Sequence, residues 1–276
     1  MSICSRLFQA SFAVLVLAAG PSYALEFPQT RDRGAPARGP ALATRGEVCL
    51  DPQVQPSLTS ILPHNAIATA FGSDTDLPLS LWFYIPETGA NSVELTVVDE
   101  TGNEIYQHSM NLSGTPGTIQ MPLPRYQADG VTPVFTSGSL YYWDFALICD
   151  PNDREDDVLL GGGIQRVDAS STFIAQLDAV SGDPLAQAEL YANAGAWQET
   201  VALAASLYSQ NPGAWTELLS SVGLGAIATQ PIVGQSMPAV RAVPTTTSPS
   251  NALETETAAS GELNNDLERL LEGINP

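Results

Sequence analysis

The chain has 276 residues, with 30 acidic and 10 basic side chains and a formal net charge of −20, and every basic residue is Arg. That charge repels phosphate backbones and anionic lipid headgroups, which argues against nucleic acid or a membrane surface as partner. A hydrophobic content of 44% is enough for a packed core, in one large or two small domains.

The chain opens with Arg6 ahead of "ASFAVLVLAAG", an apolar run of about eleven residues, the length of a signal-peptide core rather than a span of roughly twenty. "PSYA" follows, with small side chains at Ser22 and Ala24, so residues 1–24 are expected to be a signal peptide cut after Ala24. Cys4 precedes the apolar core, which disfavours a lipoprotein junction. Arg6 is the only charged residue removed, and the mature chain would carry −21 in the periplasm or outside the cell. Residues 25–44 are assigned to a disordered N-terminal segment.

From about 78 to 168 the sequence reads as strands, and the β domain is bounded at 45–168. "PLSLWFYIP" alternates, with Leu79, Leu81, Phe83 and Ile85 on one side, and "SVELTVVD" repeats the pattern with Val93, Leu95 and Val97. The Gly-containing turn "DETGNE" links the latter to "EIYQHSMNL" as a hairpin. "GTIQMPLP" gives a shorter strand with Ile119, Met121 and Leu123 on one face, and 124–138 reads as an irregular loop. In "SLYYWDFALIC", Tyr141, Trp143, Phe145, Leu147 and Cys149 share one face, and "DVLLGGGIQRVD" follows. Strands at this spacing, split by Gly, Pro and Asp turns, predict an antiparallel β-sandwich.

Without the signal, Cys49 and Cys149 are the two remaining thiols. In an oxidising compartment they most simply pair, closing a loop of about 100 residues. A zinc site is the rival, but His64 and His108 give no zinc-like spacing. The strand parity turns Cys149 inward, where a structural disulfide belongs. Just after it, Asp150, Asn152 and Asp153 resemble the start of a calcium loop. An EF-hand needs Gly at its sixth position and a carboxylate at its twelfth, and Glu155 and Gly161 stand there instead. A solvated turn is the plainer reading, with Asp150 and Asp153 capping amides and Arg154 pairing locally.

After Asp168 the period becomes helical, and 169–230 is expected to pack as a helical segment on the sandwich. Ser170 or Ser171 caps a first helix that ends near Gly182; Asp183 and Pro184 open a second that Gly195 stops. A third runs from about Ala196 to Gln210, and "AWTELLSSVG" makes a fourth. "YANAGAWQETVALAASLYSQNP", with Gly195, Trp197, Thr200 and Pro212, is similar to the second half of a tetratricopeptide repeat. It occurs once, so an ordinary helical hairpin stays an equal reading. The fold class is thus α+β, a sandwich followed by a single tetratricopeptide-like hairpin. Residues 231–260, rich in Pro, Thr and Ser, read as a disordered linker. In 261–274, Leu263, Leu267, Leu270 and Leu271 fall on one face of a short amphipathic helix that suits a partner's apolar groove, with docking back onto its own domain an equal reading.

"LTSILP", "LWFYIP", "VELTVVDETGNEIYQ", "PGTIQMPLP", "YYWDFALICDPNDREDD", "GIQRV" and "YANAGAWQET" together resemble domain-of-unknown-function family 928, a cyanobacterial family of exported proteins. The likeness covers about residues 45–230. Members carry Trp where this chain has Gly163, which implies a packing gap or an exposed sheet edge. The family has no established activity; its members accompany tetratricopeptide and caspase-like envelope proteins, which implies a protein partner.

Catalytic chemistry has little support. His64 and His108 lack a G-x-S-x-G serine nearby, Asp99 and Glu100 lie in a turn, and "GGGIQR" has no lysine and opens no helix. No enzyme activity and no cofactor are expected. Two readings remain: a non-catalytic interaction module that binds an envelope or secreted protein, and a glycan or small-ligand domain using Trp82, Tyr84, Tyr142, Trp197 and Trp215 if these are exposed.

Overall fold

The apolar alternation at 79–85 produces the central strand of the molecule. In the computed structural model, which describes residues 24–28 and 49–233 apart from 64–66, 72–76, 78 and 128, this stretch is β3 (Ser80–Ile85). It lies between β1 (Thr59–Ser60) and β6 (Gly117–Pro122) in a three-stranded antiparallel sheet. A second, five-stranded sheet has the order β2 (Ala68–Ala70), β8 (Val158–Arg166), β7 (Leu140–Ile148), β4 (Ser92–Val98), β5 (Glu104–Asn111). The two sheets meet face to face: Phe83 stacks on Phe145 with centroids 4.0 Å apart and sets its edge against Trp143 at 5.4 Å. Those rings stand on the alternating faces read from the sequence.

One expectation about this layer needs correction. The five-stranded sheet is mixed, because β2 runs parallel to β8 while every other pairing is antiparallel. Strands β1 and β2 are two and three residues long, too short to leave a periodic signal. The loop 124–138 is irregular, as its sequence predicts, and its described residues are hydrogen-bonded among themselves. Asp129 accepts the amides of Val131 and Thr132 and the Thr132 hydroxyl, and the Gln127 amide donates to Thr132 O.

Every residue of β3 is buried, on both faces. The reason is a third layer. Helices α1 (Ser171–Ala179), α2 (Pro184–Ala194), α3 (Trp197–Ser206), α4 (Pro212–Ser221) and α5 (Gly225–Ala228) follow the last strand, and Trp82 on the outer face of β3 packs on Trp215 of α4 at 6.1 Å. The caps are those the sequence specifies. Ser170 Oγ accepts the Phe173 amide, Asp183 Oδ1 accepts those of Leu185 and Ala186, and Gly195 takes the left-handed conformation at φ 77° that closes α2. Helix α3 is buried from Trp197 to Ala205 and stitches the layers together. Its Trp197 Nε1 donates to Ile61 O at 2.8 Å, and Glu199 Oε1 accepts the Phe71 amide at 2.9 Å.

The short segment 24–28 is likewise structured. Residues 24–28 run extended, with Leu25 and Phe27 buried and Ala24, Glu26 and Pro28 exposed, which corrects the disordered assignment at its first positions. Phe27 sets its edge on Trp197 at 4.9 Å, and its amide donates to Ser221 Oγ at 3.0 Å. All described residues belong to one compact unit, Met1–Ser236; the second unit, Met237–Pro276, lies outside them.

Candidate functional site

The acidic corner forms where β7 ends. Cys149 and Cys49 are bonded there, with Cα atoms 5.4 Å apart, within the range a disulfide needs. Both are half-buried at the rim rather than fully turned inward as the strand parity predicted, because the strand leaves the sheet at Ile148. Cys49 O accepts the Thr88 hydroxyl at 2.7 Å and the Gly89 amide at 3.1 Å, so the bond ties three segments together.

Beyond the disulfide, the acids serve the backbone. Asp150 Oδ1 accepts the Asn152 amide at 2.8 Å, and Asp153 caps the 3-10 turn Arg154–Asp156 by accepting the Glu155 amide at 3.1 Å. Arg154 bridges Asp157 and, at 3.0 Å, Glu94 on β4. Those two hydrogen bonds raise the guanidinium pKa further above its ordinary value. Asp150 and Asp153 are therefore placed in one turn with carboxylate oxygens directed at its own amides, and the Asn152 side-chain amide donates to Asp150 Oδ1 at 3.2 Å. Among the described residues no three His, Cys, Asp or Glu side chains gather as a metal cage.

Residues weighed for catalysis are equally committed. Asp99 accepts the Thr101 hydroxyl and the Asn103 amide and side chain, which hold its carboxyl at a pKa of about 2, and Glu100 accepts the Leu140 amide. His108 sits half-buried on β5 beside Tyr106, whose hydroxyl donates to Pro122 O at 3.0 Å. His64 lies outside the described residues. Gly161, Gly162 and Gly163 are interior positions of β8, paired with Asp144, Trp143 and Tyr142, and not a loop that could cradle phosphate. A Cβ at Gly163 would meet Leu140 and Ile67 at 3.4 and 3.5 Å, ordinary contact. The position does not face open space: Ile67, the residue before β2, lies against it, and β2 pairs with β8 from Ile164 to Arg166.

The aromatic residues divide clearly. Trp82, Tyr84, Trp197 and Trp215 are buried and Tyr142 is half-buried, so they form core and no stacking platform. The exposed large apolar side chains among the described residues are Tyr126 and Val131, both on the 124–138 loop.

A concavity with an apolar lining is found among the described residues. It lies between α1 and α2, has a volume of about 410 Å³, and is open to solvent. Ala179, Val180, Ala186 and Leu190 line it together with Gln176, Glu189 and Asn193. No Lys, Arg or His occurs between Val167 and Val240, while Asp178, Asp183 and Glu189 surround the groove in sequence. Sequence reading missed this groove, because it depends on how two helices splay. It also missed Glu199 and Glu217, single carboxylates in helical runs with no local motif to mark them. Leu263, Leu267, Leu270 and Leu271, expected from the sequence to bind a partner, lie outside the described residues, as do the expected linker and most of the expected signal segment. Among the described residues no helix is long and apolar enough to cross a membrane.

Comparison with solved structures returns the fn3 domain of human collagen alpha-1(XX) chain, 11% identical, covering 44% of this chain and 89% of that one with a TM-score of 0.24. No curated protein matches the sequence. Residues 40–232 match the family described as Domain of Unknown Function (DUF928), most of the chain and nearly all of its described part. The chain belongs to that family.

Proposed function

We propose that this protein is an exported, non-catalytic interaction module of the cell envelope that binds a polypeptide through its helical layer. The observation that carries the reading is the groove between α1 and α2, with a mostly apolar lining, within a stretch of chain that has acids and no basic residue. A fitting partner presents an apolar side chain flanked by Arg or Lys, so that burial supplies affinity and charge supplies orientation. The α2–α3 pair acts as a single tetratricopeptide-like hairpin in this reading. Support comes from the small or short side chains Ala188, Ala192, Thr200 and Ala204, all at most 1% exposed, where the helices pack. The sheets serve as an antiparallel-type sandwich scaffold beneath it. The glycan reading loses support, since four of its five aromatic residues are buried.

A photoreactive residue at position 190 of the mature chain tests this in the native envelope fraction. A discrete polypeptide adduct is expected at 190 and none at Gln107 on β5. Val180→Asp with Leu190→Asp should abolish the adduct formed from a neighbouring position such as 186 while the melting temperature holds. Equal labelling at 107, or no polypeptide at all, overturns the reading.

A further inference from the structure

The sequence places a peptidase cut after Ala24, and the structure makes that bond a boundary of another kind. Ala24 is exposed, while Leu25, the next residue, is fully buried. Leu25 N donates to Glu217 Oε2 on α4 at 3.1 Å, with Glu217 half-buried. Two residues on, the Phe27 amide donates to Ser221 Oγ one turn further along α4, and the Phe27 ring packs on Trp197. The backbone nitrogen at the cut already rests on a carboxylate, at the head of a segment held by side chain and main chain alike.

We propose that Ala24–Leu25 is the processed bond and that cleavage converts the Leu25 amide into an α-ammonium group ion-paired with Glu217. Water attacks the Ala24 carbonyl within a leader peptidase, the C–N bond breaks, Ala24 leaves as a carboxylate, and the Leu25 nitrogen takes up protons. An α-amino group has an ordinary pKa of about 7.7–8.0, so beside a carboxylate it is charged at neutral pH. A neutral amide hydrogen bond thereby becomes a charge-assisted one, roughly twice as strong. No Lys, Arg or His occurs between Val167 and Val240, so the new terminus brings this helical layer a cation its own stretch of sequence does not supply. Processing would then tighten the N-terminal strap over α3 and α4, and the precursor, with that nitrogen still acylated, would hold it more loosely.

Composition supplies a clean test. The chain contains no Lys, so after processing the α-amino group is its sole primary amine, and acetylating reagents modify that site alone among amines. Intact mass and N-terminal sequencing of the exported full chain should give Leu25 as the first residue. Acetylation of that protein should lower its melting temperature by about 2–4 °C, a shift in keeping with one ion pair in a domain of this length. In Glu217→Gln the same acetylation should leave melting unchanged. As a measurement that needs no variant, acylation of the native mature protein should be at least about tenfold slower than in urea, since a paired amine reacts on local opening. The inference rests on the export reading but fails separately from it. Export with a cut elsewhere overturns the inference alone; retention of the uncut leader overturns both. Equal acetylation effects in the two backgrounds, or equal amine reactivity when folded and unfolded, also overturn it.

Discussion

Trp143 on β7 lies flat against Gly162, its register partner on β8: a Cβ built at Gly162 would come 2.6 Å from Trp143 Cε2. The indole is 1% exposed and also meets the edge of Phe83 from the facing sheet, so it has no free side into which to retreat. Gly162→Ala should therefore destabilise the protein by about 1–3 kcal/mol, the range for an overpacked core. Gly163→Ala, whose Cβ would make only ordinary contacts, should cost far less. Thermal melts of the two variants side by side check the contrast, with indole fluorescence reporting whether the ring moves.

The disulfide should carry a large share of the stability. Cys49 and Cys149 are 100 residues apart, and joining them restricts the unfolded chain. The loop-entropy relation gives about 4–5 kcal/mol for that length. Replacing both residues with Ser should lower the denaturation midpoint accordingly while leaving the circular dichroism spectrum of the folded state unchanged. Alkylation and mass measurement should find no free thiol in the mature protein before reduction and two after it.

Calcium should not matter. With Asp150 and Asp153 accepting amides of their own turn and Arg154 held by Glu94 and Asp157, no oxygen cage is formed there. Adding calcium to chelated protein should leave melting unchanged. A concentration-dependent rise that disappears in Asp150→Asn with Asp153→Asn would reverse that reading.

Asp99 should titrate low. Its carboxylate accepts from Thr101 and from Asn103, and its pKa falls to about 2. Because the folded value lies below the unfolded one of about 3.9, its contribution is fully present above the unfolded value and fades as pH falls through about 2. A carboxyl-carbon NMR titration should show that midpoint, and Thr101→Ala should move it upward toward the ordinary aspartate value.

The C-terminal leucines give a separable result. Leu267→Asp with Leu270→Asp should leave the melting temperature of the full mature chain unchanged and remove a partner from pull-downs. Residues 262–272 carry Glu262, Asp266, Glu268 and Glu272 against Arg269, the same sign of charge as the acids between Val167 and Val240. A drop of several degrees would mean the tail docks on its own domain.

The sequence by itself determined the local elements. Alternating Leu81, Phe83 and Ile85, or Val93, Leu95 and Val97, can bury one face only as strands, and Ser170, Asp183–Pro184 and Gly195 mark helix ends through bonds made within a few residues. Likewise Cys49 and Cys149 are the thiols left once the leader expected at 1–24 is set aside, and they pair. The tertiary structure alone decided that β3 is covered on both sides, that β2 joins β8 in parallel, and that Gly162 lies under Trp143. It also decided that Leu25 meets Glu217 across 192 positions. Periodicity and capping are properties of neighbours within a turn or a strand, and they say nothing about which distant surface will close over them. That choice belongs to packing between whole layers, where one carboxylate or one missing Cβ leaves no pattern in the sequence to announce it.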